Sequence, residues 1–190
     1  MHNLEIKARA LDWAVQIKRA AAIADGPPTV LLQVDTFFCV PRGRLKLREF
    51  DDGTGELIQY ERPDTAGPRQ SSYVRALMTQ PAATKVALAA ALSVRAVVTK
   101  KRTLFIVEQT RIHMDEVKDL GAFIELEVVL HASQAAADGE AIAQRLMEQL
   151  GIDRRTLIAE AYVDLLLRSG AQTTSALQSA LDIRAVVFGK

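Results

Sequence analysis

Polar and apolar residues alternate strictly at the start of the chain: Asn3, Glu5, Lys7 and Arg9 fall on one side, Leu4, Ile6, Ala8 and Ala10 on the other. A period of two predicts a strand with one charged face. Residues 11–24 change to helical spacing, through Leu11, Ala14, Val15, Ile17, Ala21, Ala22 and Ile23, and stop at Asp25-Gly26-Pro27-Pro28. Residues 30–40 are rich in β-branched and aromatic side chains. After Pro41-Arg42-Gly43 the alternation returns, with Arg44, Lys46 and Arg48 opposite Leu45 and Leu47, so the two runs predict a hairpin. Asp51-Asp52-Gly53-Thr54-Gly55 is a turn, and 57–62 reads as a strand that Pro63 ends, because proline cannot donate to a ladder. Further strands are predicted at 72–78 and 123–130, a helix at 82–92, and two β-rich runs at 94–99 and 103–113 on either side of Lys100-Lys101-Arg102. The tally is eight strands.

Beyond Asp138-Gly139 the spacing is helical over 141–150, closing at Gly151, and again over 155–168, through Leu157, Ile158, Tyr162, Leu165 and Leu166. Residues 171–190 read as a helix at 174–181 and an apolar tail at 183–188, packed on a domain formed by residues 1–170. The prediction is an α+β, mainly β fold with a helical C-terminal cap.

A length of 190 residues suits one hydrophobic core, and 49% hydrophobic with 25% charged residues argues against disorder and rods. No apolar run reaches the roughly 18 residues a membrane helix needs, and the first residues lack a secretion signal's apolar stretch. Cys39 is the single cysteine, which forbids an internal disulfide and fits a reducing, cytoplasmic setting. The net charge of +1 speaks against general nucleic-acid binding. That total hides a segregation. Residues 81–111 hold six basic residues and one acid, whereas 112–127 hold five acids and one base.

One strand with a charged face is ordinarily the wet side of a sheet. Three strands with alternate bases and two with alternate acids are better explained by a closed antiparallel barrel, whose shared interior can be lined with polar groups around a charged ligand. Crowded like charges repel by about 4 kcal/mol per pair at 4 Å and an effective dielectric of 20, so such an interior would be strained until a polyanion enters. Arg forks suit phosphate oxygens, and Glu and Asp oxygens are hard ligands for Mg²⁺ or Mn²⁺. The competing reading is that Glu125 and Glu127 only form ion pairs with the basic strands. No Ser or Cys39 is paired with a His at recognisable spacing, and the Asp51–Gly55 turn is not followed by the Lys-Ser or Lys-Thr of a phosphate loop. His113, Tyr60 and Tyr162 are read as structural or rim groups.

The segments Glu5-Ile6-Lys7-Ala8-Arg9, Asp35-Thr36-Phe37-Phe38, Gly43-Arg44-Leu45-Lys46-Leu47-Arg48-Glu49, Thr110-Arg111-Ile112-His113-Met114-Asp115-Glu116-Val117 and Gly121-Ala122-Phe123-Ile124-Glu125-Leu126-Glu127 resemble, over about residues 3–167, the CYTH superfamily of triphosphate tunnel metalloenzymes, in its class IV adenylyl cyclase-like branch. The resemblance implies an eight-stranded antiparallel β-barrel whose tunnel grips a triphosphate and a divalent metal. It implies Glu5, Glu125, Glu127 and, more weakly, Asp115 as ligands of Mg²⁺ or Mn²⁺. It implies Lys7, Arg9, Arg44, Lys46, Arg48, Lys100, Arg102 and Arg111 as phosphate binders, with Arg62 ranked below them. Glu5, Lys7, Arg44 and Arg111 are the expected catalytic set. The family's E-x-E-x-K hallmark falls on Asn3, Glu5 and Lys7, so its first acid is replaced by an uncharged carbonyl donor.

The expected activity is metal-assisted cleavage of a phosphoanhydride bond in ATP, tripolyphosphate or thiamine triphosphate. Water at the terminal phosphorus would make a triphosphatase, the ribose 3′-hydroxyl of ATP at the α-phosphorus a cyclase releasing pyrophosphate, and a silent polyphosphate or nucleotide binder is the third reading. No membrane or nucleic-acid partner is expected, and a homodimer is compatible with the resemblance.

Overall fold

The computed structural model describes residues 2–61 and 72–170. Eight strands form one antiparallel curled sheet: β1 (His2–Arg9), β2 (Thr29–Phe38), β3 (Arg44–Phe50), β4 (Gly55–Glu61), β5 (Ser72–Met78), β6 (Val94–Val107), β7 (Thr110–Val117) and β8 (Gly121–Leu130). Their order is β1-β8-β7-β6-β2-β3-β4-β5, which leaves β1 and β5 at the two ends. The helices are α1 (Trp13–Ile23), α2 (Pro81–Ala91), α3 (Ala136–Leu150) and α4 (Tyr162–Ser169). None among the described residues is long and apolar enough to cross a membrane. The final segment, 171–190, lies outside the described residues.

Two elements depart from the sequence expectation. The basic trio Lys100-Lys101-Arg102 does not separate two strands; it lies inside the fourteen-residue β6, and the hairpin turn falls at Glu108-Gln109, where Glu108 takes a φ of 50°. Alternation simply continues through the trio, burying Lys100 and Arg102 and exposing Lys101. The helix expected over 155–168 is confined to α4, preceded by a short 3-10 turn at Arg154–Thr156. The intervening chain is extended, since Leu157 bridges Ala8 and the Ile158 amide donates to the Lys7 carbonyl at 2.8 Å.

The sheet buries apolar side chains on both faces. Outside, Phe105, Ile112, Met114, Ile124 and Leu126 pack with α1 and α3 through Ala20, Leu146 and Leu150. Inside, Val98, Val117 and Phe123 pack under Val163, Leu165 and Leu166 of α4. The concave face is therefore divided between an apolar floor under α4 and a polar remainder.

Candidate functional site

The polar remainder is a half-open cavity of about 220 Å³. Register brings its charges together: Lys7 pairs with Glu125, Glu5 with Glu127, His113 with Glu125, Asp35 with Arg48, and Phe37 with Lys46. Of the residues named from the sequence, Glu5, Lys7, Lys46, Arg48, Lys100, Arg102, Glu125 and Glu127 line it.

Three ion-pair groups hold these side chains. Arg102 donates Nε to Asp115 Oδ1 at 2.7 Å and Nη2 to Asp115 Oδ2 at 2.6 Å and Glu125 Oε2 at 2.8 Å. The Tyr162 hydroxyl donates to the same Asp115 Oδ2 at 3.0 Å, and Lys100 Nζ stands 3.9 Å away. Asp35 accepts from Lys46 Nζ at 2.9 Å and from Arg48 Nε and Nη2 at 2.7 and 2.8 Å. Lys7 Nζ lies 3.5 Å from Glu125 Oε1 and 4.4 Å from the centroid of the Tyr162 ring, a cation–π contact.

Burial works against ionisation of Asp35, but Arg48 and then Lys46 outweigh it and hold the carboxyl well below the usual range. Asp115 is held below its ordinary value by Arg102 against the same burial cost. For Glu125, burial is outweighed by the neighbouring Lys7 and then by His113 and Glu5, which together push its pKa well down. On the basic side, burial and the neighbouring Arg48 lower Lys46 to about 8, and burial with Arg102 lowers Lys100 well below its ordinary value. Burial, then Asp115, raises the Tyr162 phenol well above 10. Burial and Arg102 lower the His113 imidazole, whose buried Nδ1 has no well-formed hydrogen bond although Glu125 Oε2 lies 3.5 Å away.

Four expected site residues lie outside the lining. Arg9 is exposed over the Phe123 ring, and Arg44 is tied at 2.9 Å to Asp164, which also accepts from Arg95 at 2.9 Å. Arg111 is half exposed and donates to Glu127 Oε1 at 3.2 Å. Asp115 sits fully buried behind Arg102, with both oxygens taken by Arg102 and Tyr162, an anchor for the guanidinium rather than an open ligand. Arg62 lies outside the described residues.

Sequence reasoning also passed over lining residues. Asp35 is the largest omission, and its signal was present: one acid in an apolar strand, buried at mid-length, requires a cation. With Asp115 it removes the expected strain of an empty interior. Lys7, Lys46, Arg48, Lys100 and Arg102 face Glu5, Asp35, Glu125 and Glu127 across the cavity, five cations against four anions. Tyr60, Tyr162 and His113 line the cavity as well, rather than only its rim or the core.

The donor set can be compared with a divalent cation. Glu5 lies beside Glu125 and in register with Glu127, a grouping of carboxylates that a cation would stabilise. Glu127 accepts from Asn3 Nδ2 at 2.5 Å, while the buried Asn3 Oδ1 has no hydrogen-bond partner among the described residues. Among the described residues no three His, Cys, Asp or Glu side chains converge on one point in this arrangement. The three glutamates fit a hard cation by their chemistry, on one wall of the cavity.

Comparison with known proteins agrees with the sheet. The CYTH domain profile matches residues 1–162, and the chain belongs to this triphosphate-tunnel family. No curated protein matches it. Among solved structures it is similar to the PH1012 protein from Pyrococcus horikoshii, at 18% identity and a TM-score of 0.75 over 87% of this chain and 99% of that one. It is also similar to a candidate adenylate cyclase from Vibrio parahaemolyticus, at 18% identity and a TM-score of 0.71 over 87% and 98%. A chain of the Schizosaccharomyces pombe Mediator head module shares the fold at 12% identity and a TM-score of 0.61, over 80% and 95%. At these identities the likeness shows a common fold. Family members are in general divalent-metal-dependent enzymes, which places this chain among enzymes as a class.

Proposed function

We propose that the chain is a divalent-metal-dependent enzyme that binds a triphosphate in this cavity and cleaves a phosphoanhydride bond, as a class IV adenylyl cyclase-like protein or a triphosphatase. The observation that carries this reading is the convergence of Lys7, Lys46, Arg48, Lys100 and Arg102 on a space bordered by Glu5, Glu125 and Glu127. Such a lining has two signs for two ligands, phosphate oxygens and a cation.

Glu5, Glu125 and Glu127 would hold Mg²⁺ or Mn²⁺, which when bound neutralises phosphate charge. The chain's own contribution is mostly electrostatic positioning. Arg48 and Arg102 are fixed from behind by Asp35 and Asp115, so their forks meet the phosphate already oriented and lose little freedom on binding. Lys7, Lys46 and Lys100 add point charges that stabilise the charge spreading over the phosphoryl oxygens as the bond breaks. In hydrolysis, water attacks the terminal phosphorus and the diphosphate oxygen leaves. In cyclisation, the 3′-hydroxyl of ATP loses its proton, attacks the α-phosphorus and releases pyrophosphate.

A silent binding protein is the second reading, favoured by Asn3, whose amide occupies Glu127 where the family hallmark has an acid. Purified protein is incubated with ATP and with tripolyphosphate, each with Mg²⁺ and with Mn²⁺, and assayed for cyclic AMP, pyrophosphate and orthophosphate. Cyclic AMP selects the cyclase, orthophosphate the hydrolase, and saturable binding without product the silent form. Absence of both binding and product defeats the proposal.

A further inference from the structure

β1 and β5 end the sheet, and the two ends are finished differently. The outer edge of β1 is clasped by Leu157 and by the Ile158 amide. On β5 no hydrogen bond closes the outer edge among the described residues, and its extensive packing is with β4 alone among the described elements. Both faces of the strand meet solvent as well. Arg75 and Leu77, in register with Ile58 and Glu56, point to the concave side, and Val74 and Ala76, in register with Gln59 and Leu57, to the convex side. Val74 is 69% exposed and Leu77 76%, the highest value for a large apolar side chain among the described residues.

A bare apolar edge is a template for another strand, and proteins ordinarily blunt it with lysine, proline, a bulge or an inward charge. β5 runs for seven residues without lysine or proline and pairs with β4 in unbroken register. Its one charge, Arg75, is met from within by Glu56 at 3.3 Å.

The order of side chains along β5 suits a second copy of itself. A two-fold axis perpendicular to the sheet pairs the strand antiparallel with its copy and keeps concave faces concave, so the axis passes between one residue and its own counterpart. Centred on Arg75, it would set two guanidiniums face to face. Centred on Val74 or Leu77, it would run the other of these two side chains off the end of the strand. Centred on Ala76, it sets Val74 opposite Met78 and Arg75 opposite Leu77, so that apolar meets apolar and an arginine stem lies over a leucine. No like charges meet in that register.

We propose that β5 is a homodimerisation edge: two copies join antiparallel along it, with Ala76 on the two-fold axis and Val74 and Leu77 covered at the junction. This goes beyond the function proposed above and is independent of what the cavity binds.

Sedimentation equilibrium of the full chain without ligand, over a range of concentrations, is expected to show monomer and dimer in exchange. Leu77→Lys places an ammonium opposite Arg75 of the second copy on both sides of the axis and is expected to raise the dissociation constant about tenfold or more. Because Leu77 is exposed, the circular dichroism of this variant is expected to remain that of the folded chain. Cys39 is the single cysteine, so Cys39→Ser gives a background for cross-linking. There Ala76→Cys is expected to oxidise to a disulfide-linked dimer, its two thiols facing each other across the axis. Val74→Cys, also exposed, is expected not to, since its two copies stand four residues apart along the strands, about 14 Å. A monomer at every concentration overturns the inference, whether the β5 amides then exchange freely or are protected by another segment of the same chain. So does a dimer that Leu77→Lys leaves intact, or one in which Val74→Cys cross-links as readily as Ala76→Cys.

Discussion

Asp35 shows how one side chain can organise a site that alternation only outlines. It is almost fully buried and neutralises both Lys46 and Arg48, so its loss strands two cations out of water. Breaking a buried pair in this way costs about 3–5 kcal/mol. Asp35→Ala is expected to lower the melting temperature by on the order of 10 °C. Added tripolyphosphate should recover part of that loss, because it supplies the missing negative charge; thermal unfolding with and without the ligand measures both. Because Asp35 and Glu125 have depressed folded-state pKa values, their stabilisation is complete above the unfolded carboxylate pKa of about 4 and is lost as pH falls through the folded values. Lys46 behaves in the opposite sense. Lowered to about 8, it sheds its proton in the folded protein before it would when unfolded, so its folding penalty is greatest below pH 8 and fades towards 10.4. The corresponding expectation for binding is that tripolyphosphate affinity falls between pH 7 and 9 in the natural protein and much less in Lys46→Arg, whose charge persists. Titrations at both pH values decide it.

At the scale of elements, most strands were legible because charged and apolar residues alternate without interruption, as in β1 and β3. The misplaced hairpin between β6 and β7 has a clear cause. Three consecutive bases resemble a solvated turn, whereas Glu108-Gln109 contains no glycine, proline or asparagine, although Glu108 adopts a left-handed backbone. The overlong helix before α4 misled for another reason. The spacing of Leu157, Ile158 and Tyr162 satisfies a helix, yet pairing with β1 wins over local periodicity. For the candidate site, alternation marks Lys7, Lys46, Arg48 and the two β8 glutamates, whereas Lys100 and Arg102 are reached only through the family resemblance. It could not tell which arginines would be drawn off, since Arg44 meets Asp164 from a distant helix. Gly55 at the start of β4 offers a test of packing between elements. A Cβ there would come within 2.6 Å of the Arg48 carbonyl and of Pro81 Cβ at the start of α2. Gly55→Ala is expected to cost about 1–3 kcal/mol, the range for overpacking, read as a lower denaturation midpoint in urea.

For the molecule as a whole, the nearly balanced cavity means that a ligand exchanges partners rather than filling a charged void. A triphosphate accompanied by a divalent cation carries both signs and suits that exchange better than a bare polyanion. At 100 times its dissociation constant, such a ligand adds about 2.7 kcal/mol. For a chain of this size the expected rise in melting temperature is roughly 5–11 °C. The rise should be larger with Mg²⁺ or Mn²⁺ than in chelator, and equal curves in the two conditions would contradict a cation in the complex.

The contact of residues 157 and 158 with β1 has a mechanical consequence. Glu5 and Lys7 belong to a terminal strand that is laddered to β8 on one side and clasped on the other by Leu157 and Ile158, just ahead of α4. Any partner, cleavage or crowding that tugs on this late part of the chain would pull directly on the first charged residues of the cavity. The amide of Ile158 is thus a natural gauge: its rate of deuterium uptake should track the looseness of the cavity wall, although the two lie far apart in sequence.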